Sequence, residues 1–342
     1  MRVRLVCYED ESWILGKFAL KLQEELRLLL VDVDIAQAPD PEADVNHHII
    51  YIDYKHQGNP LDTVMVTHID ADWKFRKLKA QLRHGAVGIC MSADTMKTLI
   101  SAGIPASQLC FINPAHDGAI RPRPFLIGIT TRVYADGRKR EGMLMELADR
   151  IDPASFSFSI MGEGWDGIVA ALRGKGFTID HRSDFDLDAY RILIPSLDYY
   201  LYLGSDEGSM GFVDALSAGV PTIATPQGYH LDAVGGLVHP FETKEELCAV
   251  FGEIAAARQA LVDSVARWTW RGYALKHRDL WDYLVTGMRP VALSYPDGLG
   301  SLGQGGIGIP QKGGRMAARL KFLGGSFRDI SSSFYHFRKS AD

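Results

Sequence analysis

The chain has 342 residues, 46% of them hydrophobic and 23% charged; this composition excludes a fibrous or wholly disordered protein, and the length suits two cores of about 150 residues better than one. Its 37 Lys and Arg against 42 Asp and Glu give a formal charge of -5, so no global field draws it to nucleic acid and any polyanion site must be local. Cys7, Cys90, Cys110 and Cys248 show neither the paired spacing of zinc and redox sites nor the density of a secreted framework. The N-terminal run MRVRLVCYEDE turns acidic too early for a signal-peptide core, and no window approaches 18 uncharged apolar residues. We therefore expect a cytoplasmic protein.

Short β-branched or aromatic runs alternate with helical patterns along the chain. The first strand is expected over Val3–Cys7, followed by an amphipathic helix over Trp13–Leu30. Further strands are expected over His48–Ile52, Thr63–Thr67 and Gly88–Met91, and a helix over Ser92–Ala102, stopped by Gly103 and Pro105. In the run NPAHDGAIRPRP three prolines resist regular structure, which places a domain boundary there. A second series begins with strands over Phe125–Thr130 and Phe156–Met161, each followed by a helix, over Gly142–Ile151 and Ile168–Arg173. It continues with a strand over Tyr199–Leu203, a helix over about Gly211–Ala218 and a strand over Pro221–Ala224. Helices over Lys244–Ala257 and Leu261–Val285 close it.

In the last of these helices Trp268, Trp270, Tyr273, Leu280, Trp281 and Leu284 form a large apolar face, read as packing. The expected class is α/β with two parallel sheets. The expected divisions are one Rossmann-like domain over 1–120, a second over 125–270 and a helix over 271–286 that crosses back. A glycine-rich linker and basic tail fill 287–342.

Most motifs carry little. The GxGxxG match from Gly298 to Gly303 lacks a preceding strand and a following helix, which argues against a nicotinamide site. Asp-x-Asp pairs occur at Asp32/Asp34, Asp70/Asp72, Asp184/Asp186 and Asp186/Asp188, but 29 aspartates supply about two or three such pairs by chance. His47 and His48 would point to opposite faces of a strand. We expect no structural metal.

The informative segment runs from Ser205 to Thr225. Its helix begins at the carboxyl end of the sheet, where open α/β folds bind ligands, so free N–H groups at the helix start are expected to face a crevice. Gly208, Ser209 and Gly211 are small enough to let a phosphate approach the backbone there, with Met210 and Phe212 in the same turn. Asp206 or Glu207, with Asp214, would accept bonds from sugar hydroxyls.

This segment resembles the retaining glycosyltransferases of family four, which carry two acids eight residues apart followed by Ala-Leu-x-x-Gly-Val-Pro. Asp214-Ala215-Leu216-Ser217-Ala218-Gly219-Val220-Pro221 is similar to the second half of that motif, and either Asp206 or Glu207 fills the place of the first acid. Thr131-Arg132 followed by Lys139, with Arg138 as competitor, looks like the basic pair that holds the donor diphosphate, in a loop two residues longer. Gly162-Glu163-Gly164 looks like the family's Gly-acid-Gly, and His68 ends a strand where the family places a histidine near the reacting sugar; a satisfied structural histidine fits that position equally.

The resemblance implies a GT-B fold of two Rossmann-like domains facing a central cleft and sugar transfer from a nucleotide sugar with retention of configuration. It implies no cofactor and no metal. Arg132, Lys139, His68, Asp206 and Glu207 are then the catalytic candidates. The donor-binding candidates are Asp214, Gly208, Ser209, Met210, Gly211, Phe212, Gly162 and Arg138. The expected partners are the donor and a sugar or lipid-linked acceptor. The basic tail, with seven Lys or Arg from Lys312 onward, reads either as a solvated or oligomer-docking segment or as a peripheral contact at the inner face of a membrane. A sugar-nucleotide 2-epimerase of the same fold and a non-catalytic sugar-nucleotide binder remain as alternatives.

Overall fold

The computed structural model describes residues 1–10, 12–54, 61–83 and 87–287. The described chain forms two compact units, one of Met1–Gly118 together with Trp268–Gly287 and one of Ala119–Arg267. The glycine-rich run, its GxGxxG match and the basic tail lie outside the described residues. So does Glu11, beside the first expected helix.

The first unit contains β1 (Arg2–Val6), α1 (Ile14–Leu28), β2 (Asp32–Ala36), β3 (Val45–His48), β4 (Thr63–Val66), α2 (Asp72–Leu82), β5 (Val87–Cys90), α3 (Ala93–Ser101) and β6 (Leu109–Phe111). Its strands run parallel in the order β2-β1-β3-β4-β5-β6. Every residue of β3, β4 and β5 is buried, as a parallel sheet covered on both faces requires.

The second unit contains β7 (Phe125–Ile129), α4 (Gly142–Ala148), β8 (Phe156–Met161), α5 (Asp166–Gly174), β9 (Ile179–Arg182), α6 (Leu187–Ser196), β10 (Tyr199–Tyr202), α7 (Met210–Ser217), β11 (Thr222–Ala224), β12 (His239–Pro240) and α8 (Lys244–Ser264). Its parallel order, β9-β8-β7-β10-β11-β12, is the 3-2-1-4-5-6 arrangement of a Rossmann sheet. Ile127, Phe156, Phe158, Trp165, Leu201 and Phe251 are among its buried core. The α/β class with two Rossmann-like units is thus as expected.

A last helix, α9 (Trp270–Thr286), belongs to the first unit. Its Trp270 and Tyr273 meet Phe18 of α1 edge-on at 5.2 and 5.7 Å. With Leu280 and Trp281 they are buried in the core, so the aromatic face packs, apart from the half-exposed Trp268. The single helix expected over Leu261–Val285 is broken, because the Thr269 hydroxyl accepts the Gly272 N–H at 3.0 Å and starts a new helix. Gly287, at φ 70°, ends it in the left-handed conformation.

The strand expected over His48–Ile52 lies earlier, at Val45–His48. Tyr51–Asp53 instead form a 3-10 turn, and the carbonyls of Tyr51 and of the following Tyr54 accept from the Gln81 amide at 2.7 and 3.3 Å. Several of the Asp-x-Asp aspartates have partners close by. Asp34 pairs with Arg4 at 2.6 Å, Asp70 with Lys74 at 2.5 Å, and Asp186 caps α6 by accepting from Asp188 and Ala189 N–H groups. Among the described residues no three His, Cys, Asp or Glu side chains are grouped to hold a metal ion, and no helix is long and apolar enough to cross a membrane.

Candidate functional site

The chain reverses its strand order between β7 and β10, and in open α/β sheets the crevice outside such a reversal holds the ligand. The loops leaving these two strands meet there. Ser205 N–H donates to the Arg138 carbonyl at 2.7 Å, and the Arg140 guanidinium donates to the carbonyls of Leu203 and Glu242 at 2.7 and 3.0 Å. These bonds fix the β7 loop against the carboxyl end of β10.

Alternation along β10 puts the buried Tyr200 and Tyr202 on one face, each with its hydroxyl in polar contacts. Tyr200 Oη lies 3.0 Å from Thr130 Oγ1 and 2.8 Å from Ser209 Oγ, and Ser209 Oγ accepts the Gly211 N–H at 3.2 Å. Ser209 is thereby the N-cap of α7. Gly211 has no room for a side chain, since a Cβ would lie 2.2 Å from Tyr200 Oη.

Two residues on, Tyr202 joins the charged part of the site. Lys139 Nζ donates to Asp206 Oδ2 at 2.6 Å and to Tyr202 Oη at 2.8 Å, while the Tyr202 hydroxyl donates to the other Asp206 oxygen. Burial works to raise the Asp206 carboxyl, but the bonds from Lys139 and Tyr202 prevail and hold it below the ordinary carboxylate value. Tyr134 collects the remaining cations. Arg138 lies 4.0 Å from its ring centroid and Arg132 5.9 Å, with Lys139 at 6.0 Å on the same ring. Arg132 also pairs with Glu163 at 2.5 Å, in an exposed contact.

Of the residues singled out from the sequence, Arg132, Arg138, Lys139, Asp206 and the α7 start are therefore neighbours at one sheet edge. Glu207 is exposed, and its carbonyl accepts the Tyr229 N–H at 3.2 Å. Asp214 accepts from the Tyr190 hydroxyl of α6 at 2.5 Å. Met210 is exposed, whereas Phe212 is fully buried beneath the helix. Gly162, at φ 148°, brings its backbone against Thr131, where a Cβ would lie 2.2 Å from the carbonyl oxygen. His68 belongs to the other unit; its exposed imidazole accepts from Lys74 Nζ at 3.0 Å and lies 3.7 Å from Asp70.

One expectation needs correction. The N–H groups at the α7 start were expected to be free, yet Gly208 N–H donates to Asp206, Ser209 N–H to His230 Nε2 at 3.1 Å and Gly211 N–H to the Ser209 hydroxyl. A helix start folded into its own loop must satisfy these donors internally. Sequence reasoning also passed over Tyr134, Tyr190, Tyr200, Tyr202, Arg140 and His230. The Tyr200/Tyr202 alternation on one strand was the signal available for two of them.

No protein-family model matches the chain, and no curated protein matches it. Among solved structures it is similar to the lipopolysaccharide outer core galactosyltransferase WaaB, at TM-score 0.35 and 11% identity, covering 82% of this chain and 99% of that one. It is similar also to WaaG, a glycosyltransferase involved in lipopolysaccharide biosynthesis, at TM-score 0.32 and 12% identity over 84% of this chain and 100% of that one. A third is sucrose-phosphate synthase from Thermosynechococcus elongatus, at TM-score 0.34 and 11% identity over 84% and 100%. Likenesses this loose carry no inference about activity.

The Asp214–Tyr190 bond yields a prediction. If Asp214 also accepts from a ligand hydroxyl, Asp214→Ala should weaken ligand binding by about 1.5–3 kcal/mol, roughly ten- to over a hundredfold. Tyr190→Phe removes only the internal partner and should change affinity by no more than a few fold. Equal effects of the two variants in calorimetric titration would make Asp214 a purely structural acceptor.

Proposed function

We propose that this chain is a glycosyltransferase that moves a sugar from a nucleotide-sugar donor, held by the second unit, to a glycan, lipid-linked or small-molecule acceptor received by the first. The observation that carries this reading is the Lys139–Asp206 pair, which joins the loops after β7 and β10 beside the start of α7. It sets a positioned cation at the carboxyl end of a Rossmann sheet, where such folds bind ligands. The similarity of Asp214 to Pro221 to the family-four motif supports the same assignment, and retention of configuration rests on that similarity.

The barrier to sugar transfer is departure of the diphosphate from the anomeric carbon. Charge grows on the leaving group as that bond breaks, so Lys139 and Arg132 would do most of their work in the transition state, in the role a divalent cation fills elsewhere. Metal independence is part of the proposal. His68, whose contacts here are Lys74 and Asp70, is a catalytic candidate by the resemblance alone.

The contacts divide the two adjacent acids. Asp206 is engaged with Lys139 and Tyr202, while Glu207 is exposed; in this reading Asp206 holds the cation and Glu207 reaches the donor sugar. Glu207→Gln should therefore reduce the preference for a nucleotide sugar over the bare nucleoside diphosphate. Asp206→Asn should weaken both ligands alike. Titration of both ligands into both variants checks this, and an unchanged preference in Glu207→Gln removes Glu207 from the sugar subsite.

A further inference from the structure

His230 lies in a short turn, Gly228–His230, after β11 and is wholly buried. Its Nδ1 is 3.0 Å from the Thr225 carbonyl, which can only accept, so Nδ1 carries the proton. Nε2 is then a lone pair, and it accepts the Ser209 N–H at 3.1 Å. The ring stacks on Phe212 of α7 at 4.0 Å and 26°, and stands edge-on to Tyr202 at 5.2 Å and Tyr229 at 5.4 Å. Gly208 must lack a side chain here, because a Cβ would come within 2.9 Å of Nε2.

We propose that neutral His230 is a positioning residue for the donor site: its Nε2 lone pair holds the Asp206–Ser209 turn, and with it the Asp206 carboxylate that seats Lys139. This rests on the reading of the second unit as a nucleotide-sugar site. A protonated ring would turn an Nε2–H against the Ser209 N–H and place a cation at the positive end of α7, two repulsions at one contact. The groups facing the ring are Asp206 with Lys139 behind it, the phenols of Tyr202 and Tyr229, the Thr225 carbonyl, and Phe212 and Ser209 of α7. Burial lowers the imidazole below its ordinary value, against the Thr225 bond and the Asp206 charge, which act to raise it. The competent turn is therefore complete at neutral pH and is lost as pH falls through that lowered value.

The test uses whichever of UDP-glucose, GDP-mannose, ADP-glucose and dTDP-glucose binds the full chain at about pH 8, since their diphosphate diesters do not titrate in this range. Dissociation constants measured from about pH 8 downward should rise for the unaltered protein once pH falls below the lowered imidazole value, toward a limiting slope of roughly tenfold per pH unit, and a flat profile down to the onset of unfolding overturns the proposal. His230→Gln keeps an acceptor for Ser209 without a titrating group, so its affinity should stay within a few fold of the unaltered protein at about pH 8 and lack that acid limb. His230→Phe keeps the ring on Phe212 but has no lone pair, so it should bind at least about tenfold more weakly at every pH. A role in packing alone reverses the order of the two variants, and either that reversal or an acid limb surviving in His230→Gln overturns the proposal. Failure of all four sugars to bind overturns the donor reading instead. In that case the side-chain nitrogen spectrum of the free protein still decides His230, which must be protonated at Nδ1 and bare at Nε2; the opposite tautomer overturns the proposal.

Discussion

Lys139→Ala is expected to lower kcat on the order of a hundred- to a thousandfold, about 3–4 kcal/mol, with a smaller loss of donor affinity. Lys139 is only 11% exposed and is held at 2.6 Å from Asp206 and 2.8 Å from Tyr202. Its charge is thus fixed before the donor arrives, and a fixed charge gains most where negative charge is still growing. Arg132 is 60% exposed and already paired with Glu163, so water screens it, and Arg132→Ala should cost about ten- to a hundredfold. Arg138 rests on Tyr134 and reaches Asp206 only at 4.0 Å; its alanine variant should stay within a few fold. Turnover at saturating donor and donor affinity, measured for all three variants after thermal melting shows each is folded, separate these outcomes. A large effect at Arg138 with none at Lys139 assigns the cation to the wrong neighbour.

The second large effect is acid destabilisation of the first unit. His48 and His277 are buried, and burial pushes each imidazole from 6.5 down to about 4. A histidine depressed in the fold leaves stability intact above the unfolded value and removes it as pH falls, because the unfolded chain takes up the proton first. At about 1.36 kcal/mol per pH unit, the gap from 6.5 to about 4 amounts to roughly 3 kcal/mol for each residue. His47, 5.1 Å from His277 between ring centroids, is lowered well below its ordinary value too, by burial first and then by its histidine neighbours.

Together these losses rival the whole stability of an ordinary domain, about 5–15 kcal/mol. Carboxylates held low, such as Asp34 and Asp206, add their own loss only below about pH 5. Urea unfolding followed at about pH 7, 6 and 5 should therefore show stability falling steeply before any carboxylate titrates. His277→Gln should flatten that slope by one proton. A stability independent of pH across this range contradicts the burial of these histidines as neutral rings.

Legibility in the sequence followed burial. The strand Phe156–Met161 occupies the residues expected of it, because Phe156, Phe158, Ile160 and Met161 are apolar and buried. The edge strands Asp32–Ala36 and Ile179–Arg182 went unseen; each has a neighbour on one side only and carries charged residues such as Asp34 and Arg182. Helix α6 was hidden by Pro195 and by its aspartate-rich start, whose Asp186 proved to be a cap. At the candidate site the motif from Asp206 to Pro221 could be read because it is contiguous. The Lys139–Asp206 pair spans 67 residues and the His230–Ser209 bond 21. Such contacts depend on how strands order themselves in the sheet, which no local pattern encodes.

Calorimetric titration of nucleotide sugars of differing base and sugar into the unaltered chain, in buffer with a chelator, tests the central claim most directly. The account predicts that at least one binds without a divalent cation and that Lys139→Ala weakens it. No binding by any member of the panel, or binding only after magnesium is restored and indifferent to Lys139, would contradict it.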